Sequence, residues 1–145
     1  MGLLDSIKGL FQDPKERYHT LYVKFVRLQI DSLQTMLADI DSPKLIEMAM
    51  ERGDLTERLE KAATAAGEDF LKSYANFNYR SDESKAINGQ IFRNLERQKK
   101  YLNSPDFNQA VYEKICAEAD ELKRKERKLT MQDCENLKRH LAEIS

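Results

Sequence analysis

Tryptophan is absent from this 145-residue chain, cysteine occurs twice, proline three times and glycine five times. Two cysteines cannot build the disulfide-dense scaffold of a small secreted domain, and neither Cys116 nor Cys134 stands in a CxxC or other metal-ligand spacing. Both fall at apolar helical positions, so two buried free thiols in a reducing compartment are expected. Five glycines scattered singly exclude a glycine-rich phosphate loop. No stretch approaches the ~20 uninterrupted apolar residues of a membrane span. The apolar start is broken by Asp5 and Lys8 and has no basic leader, so no signal peptide is expected. Net charge is also missing: 24 basic against 25 acidic residues leave -1, which gives no global attraction to nucleic acid.

What remains is rich in Ala, Leu, Glu, Lys, Gln and Arg, the strong helix formers, with 41% hydrophobic and 34% charged residues. That balance exceeds the disordered class and suits a charged coat over an apolar core. The expected fold is all-α: a single-domain antiparallel helical bundle of about six or seven helices spanning residues 1 to 145. All three prolines follow a capping residue, in Asp13-Pro14, Ser42-Pro43 and Ser104-Pro105, and proline is tolerated at the first helical position because its missing N–H has no partner there. Asp54 with Glu57 and Thr130 with Asp133 resemble capping boxes, and Ser81 or Asp82 can cap a further start.

The longest predicted helix runs from Pro14 to about Ile40. Tyr22, Val26, Ile30, Leu33, Leu37 and Ile40 form one apolar row, and Tyr18, Leu21, Phe25 and Leu28 a second beside it, the width of a central helix. Lys24, Arg27, Asp31 and Asp39 share its solvated face. A connector helix is expected from Lys44 to Arg52, ended by Gly53 as C-cap. The next should run from Asp54 to about Phe77, with small residues across Ala62 to Gly67 marking a close helix crossing. Gly89 should precede a helix carrying Ile91, Leu95 and Leu102. The last two segments are read as Pro105 to about Leu129, whose second half is mostly polar, and Met131 to Ile144.

The first eleven residues, MGLLDSIKGLF, place Leu3, Leu4, Ile7, Leu10 and Phe11 on one helical face, opposite Asp5, Ser6 and Lys8. About three turns do not form alone, so residues 1 to 12 need a surface: the rest of this chain, another protein or a lipid interface. Gly2 and Ser6 also fit the N-myristoylation pattern. The segment resembles short membrane-active amphipathic peptides of the GLLD or GLFD type, a likeness that implies compatibility with a lipid interface.

Catalytic constellations are sparse. Glu16 and His19 form half of a di-iron carboxylate pair, but the only other histidine, His140, has Leu137 where the second glutamate should stand. No metal site, cofactor or catalytic residue is therefore expected, and no carboxylate is expected at an otherwise apolar position where burial would raise its pKa. Both histidines are read as surface residues. Arg93, Arg97, Lys99 and Lys100 form one basic cluster; Lys123, Arg124, Lys125, Arg127 and Lys128 form another. Each suits a helix C-terminus, and Glu96, Glu121 and Glu126 dilute a phosphate-binding field. The expectation is a non-enzymatic cytoplasmic protein acting through protein–protein contacts or self-association. Leu3, Leu4, Ile7, Leu10 and Phe11 would be the apolar contact, with the basic run at 123 to 128 steering an acidic partner. The alternatives are a peripheral membrane protein using the first helix and a small nucleic-acid or phosphate binder.

Overall fold

A computed structural model of the chain describes residues 13–77 and 80–145. Among these the chain is all-helical, with five helices and no strand: α1 (Pro14–Ala38), α2 (Lys44–Ala66), α3 (Phe70–Phe77), α4 (Asp82–Leu102) and α5 (Gln109–Ile144). None of them is long and apolar enough to cross a membrane. The apolar face Leu3, Leu4, Ile7, Leu10 and Phe11 lies outside the described residues.

One proline signal acts as expected: Pro14 opens α1 at its first position. Pro43 instead takes the cap position itself and α2 begins one residue later, the Ser42 hydroxyl accepting the Lys44 N–H at 3.3 Å. Gly53 does not end a helix; α2 passes through it to Ala66. The physical reason is that Leu45, Met48, Leu55, Leu59 and Ala62 form one unbroken row, so burial carries the helix across a residue that permits a stop without forcing one. The real stop is Gly67, at φ 70°, where the Glu68 N–H bonds the Ala63 carbonyl at 2.9 Å. The segment predicted from Asp54 to Phe77 is therefore broken there, and α3 restarts under an Asp69 side chain that accepts the Lys72 N–H at 3.2 Å.

The helices gather into two compact units. The first comprises the described residues before Arg80 together with Cys134–Ser145, the second Arg80–Asp133. In the first unit α1 is central, as its two apolar rows require. Tyr18, Leu21, Phe25, Val26, Leu28, Ile30 and Leu33 are buried against Leu55, Leu59, Ala62, Ala63, Cys134 and Leu137. Ile40 falls past the end of α1 and is 61% exposed. Ala62 and Ala63 are buried in this core. The Ser32 hydroxyl reaches the Met48 sulfur at 3.6 Å, and the carboxylates of Glu68 and Asp69 act on Tyr18. The start of α2 thus meets the end of α1, an antiparallel pair. The last turns of α5 run antiparallel to α1 as well: the Tyr22 hydroxyl hydrogen-bonds His140 Nε2, the rings meeting edge-on at 5.6 Å. His140 is half-buried by that contact rather than a free surface residue, whereas His19 is exposed.

Burial pushes the Tyr22 phenol up to about 12 and raises Tyr18 and the Cys134 thiol above their ordinary values. Cys134 is buried as expected, but Cys116 is only half-buried.

Candidate interaction surface

The second unit is an antiparallel hairpin of α4 and the part of α5 up to Asp133. Ser81 is the N-cap of α4: its hydroxyl oxygen accepts the Ser84 N–H at 3.1 Å and its O–H donates to the Ser84 hydroxyl at 2.9 Å. Ser84 in turn donates to Asp133 Oδ2 at 2.6 Å, and the Ser81 N–H reaches Asp133 Oδ1 at 3.4 Å. Asp133 is 1% exposed. A carboxylate does therefore occupy an apolar position, and the signal was present: Asp133 lies four residues after Leu129 and four before Leu137, both buried. The expected Thr130–Asp133 capping box is overturned by the same bonds. Thr130 lies inside α5, where its hydroxyl donates to the Glu126 carbonyl at 2.9 Å, and the two segments read as separate helices are one.

Further along, the Asn94 amide donates to the Ile115 carbonyl at 3.1 Å and accepts from Gln98 at 2.7 Å, and Arg97 pairs with Glu118 at 3.0 Å on the surface. Gly89 lies within α4 rather than before it. At the hairpin tip, Ser104-Pro105 makes a turn rather than a helix start. The cap of α5 is Asn108, whose side-chain oxygen accepts the N–H groups of Ala110 at 2.9 Å and Val111 at 3.4 Å. Tyr101 accepts the Asn108 N–H at 3.0 Å and stacks near Phe107, which in turn meets Tyr112.

These polar clips occupy places that an ordinary core fills with hydrocarbon. In this unit the buried set is Ile87, Ile115 and Leu129 with Ser84, Asn94, Thr130 and Asp133. Meanwhile Phe92 is 62% exposed, and Leu95, Leu102, Phe107, Val111 and Met131 are exposed too. On α4 the spacings of three and seven put Phe92, Leu95 and Leu102 on one arc, beside the arc of Ile87 and Asn94 that faces α5. Phe92, Leu95 and Leu102 thus form an exposed apolar stripe along α4, the kind of surface that marks an interaction site when it is contiguous.

The basic run lies on exposed turns of α5. Lys123, Arg124, Lys125, Arg127 and Lys128 all face solvent, Arg124 holding Glu121 at 2.7 Å. Lys125 shares a shallow groove with Lys114, Glu118 and Glu121, so the local field is mixed in sign. Among the described residues no group of three His, Cys, Asp or Glu side chains is placed to hold a metal ion. Glu16 and His19 are both exposed at the start of α1. Tyr112 is held above its ordinary pKa by the Cys116 thiol beside it. No protein-family model matches the chain, and neither a curated protein nor a solved structure is significantly similar to it.

Proposed function

We propose that the chain is a non-enzymatic interaction protein that works through protein–protein contacts, with the α4–α5 hairpin as its contact element. The observation that carries this reading is the inversion of burial in residues 80 to 133: more large apolar side chains are exposed than buried. A hairpin held by hydrogen bonds keeps its shape without spending its hydrophobic side chains, which leaves them to a partner. Phe92 and Phe107 supply aromatic anchors of the kind that dominate interface energetics.

The test is crosslinking and affinity capture from the source cell with wild type and with a Phe92→Asp, Leu95→Asp variant whose circular dichroism matches wild type. A defined partner held by wild type and lost by the variant is the expected result. Identical capture by both proteins would remove the hairpin from the role.

A further inference from the structure

Two exposed helix faces of this chain complement each other. On α4, Lys85 and Lys99 lie along the arc of Phe92, Leu95 and Leu102, and Arg93 and Lys100 border it beside Phe92; Asp82 and Glu96 are the acids nearby, two against four bases. On α2, Ile46 and Met50 are 69% and 70% exposed, one turn apart. Their arc continues through Gly53, and Glu47, Asp54 and Glu57 share it with a single base, Lys61. None of these charged side chains is held in an ion pair among the described residues. Gly53 lies mid-arc, and a Cβ there would meet nothing within 4 Å. A partner helix has room to approach the backbone closely at that point.

We infer that the exposed face of α4 docks on the exposed face of α2 of a second copy of this chain. This inference rests on the interaction reading above and names the partner. With the helices antiparallel, the pairing sets Phe92 and Leu95 against Ile46 and Met50, and Lys85 against Asp54 and Glu57, which lie about as far beyond the apolar pair on α2 as Lys85 lies before it on α4. Opposite signs select the orientation and the register, while the apolar stripes supply the contact. Two copies of the α4 face would instead oppose lysine to lysine, a like-charge juxtaposition that disfavours α4-to-α4 pairing. The contact joins unlike faces and is rimmed by exposed charges, so it is weak and screened by salt.

Sedimentation velocity of the full chain, from low micromolar to near-millimolar protein and at low and high salt, tests it with two charge-reversed variants. One is Lys85→Glu on α4; the other is Asp54→Lys, Glu57→Lys on α2. The expected result is a mass that rises above 16.9 kDa with concentration for wild type. Each variant alone should associate at least about tenfold more weakly. An equimolar mixture of the two should recover association, because each restores an opposite-sign pair on the other. A wild type that stays monomeric throughout overturns the inference yet leaves contact with a different protein to the capture experiment. Association that neither reversal weakens overturns the assigned faces. Flotation of a monomeric wild type with anionic phosphatidylserine vesicles, lost in the α4 variant, also overturns it, since the lysine-bordered stripe then serves lipid.

Discussion

Asp133 offers the sharpest test of how the second unit is held. Its carboxylate is fully buried and accepts two donors, the Ser84 hydroxyl at 2.6 Å and the Ser81 N–H at 3.4 Å. Asp133→Ala strands the buried Ser84 hydroxyl and takes the acceptor from the half-buried Ser81 N–H. A buried unsatisfied donor costs about 1–3 kcal/mol and a hydrogen bond to a charged group contributes about 1.5–3 kcal/mol. The first bond is short and the second long, so the loss should be about 2–4 kcal/mol. Ser84→Ala removes the hydroxyl and leaves the carboxylate short of its best donor, a loss of about 2 kcal/mol. Once either partner is gone the other contributes little. The double variant should therefore cost less than the two single losses together, by about 1–2 kcal/mol. Urea unfolding followed by circular dichroism at pH 7 measures all four corners of the cycle. A midpoint for Asp133→Ala within about 0.5 kcal/mol of wild type, or single effects that add to within that margin, would refute the clip.

Four further outcomes follow from the same structure. Gly53→Ala should stabilise the chain by about 0.5–1 kcal/mol, since the position is helical, exposed and open around the added methyl. Gly67→Ala should destabilise it by about 1 kcal/mol, because φ is 70° there; thermal melts of the two variants should move in opposite directions. Leu59→Ala, at a side chain with no exposure in the heart of the first unit, should cost about 2–5 kcal/mol by chemical denaturation. Alkali should unfold the protein early. Tyr22, Tyr18 and Cys134 all hold their protons more tightly when folded, so their contribution is present below the ordinary values of 10.0 and 9.0 and is lost as pH climbs toward about 12. A urea midpoint that falls between pH 8 and pH 11, and falls less in Tyr22→Phe, is the expected reading.

The sequence announces the first unit more clearly than the second, and the reason is chemical. Around α1 the apolar rows, the proline start and the solvated charges all agree, so the central helix is legible up to its last turn, where Ile40 falls outside it. Errors arise where one residue type has two uses. Gly53 and Gly67 are equally competent stops, and only the side chains that must reach the core decide between them. Thr130 and Asp133 have capping spacing, yet Asp133 has a partner 49 residues away in Ser84 that no local pattern displays. Ser104-Pro105 offers a helix start that Asn108 provides instead, because Tyr101 fixes the Asn108 backbone from the preceding helix. The exposed stripe Phe92, Leu95 and Leu102 was legible as apolar, but periodicity does not say which of two neighbouring arcs a hairpin covers.

The discontinuity of the first unit governs how the chain can fold during synthesis. Cys134, Leu137, Leu141 and Ile144 close the core around α1, yet more than fifty residues of the second unit intervene. A nascent chain that has emerged only as far as Phe77 therefore displays the open side of α1 with its last wall still unmade. The hairpin from Arg80 to Asp133 has all its clips within itself and is free to form first. It then delivers the closing segment as a continuation of its own helix, since α5 is unbroken across Asp133 and Cys134. The unit that begins first is thus completed last, and the interval between those events is when its apolar side chains are most open to chaperones or to aggregation.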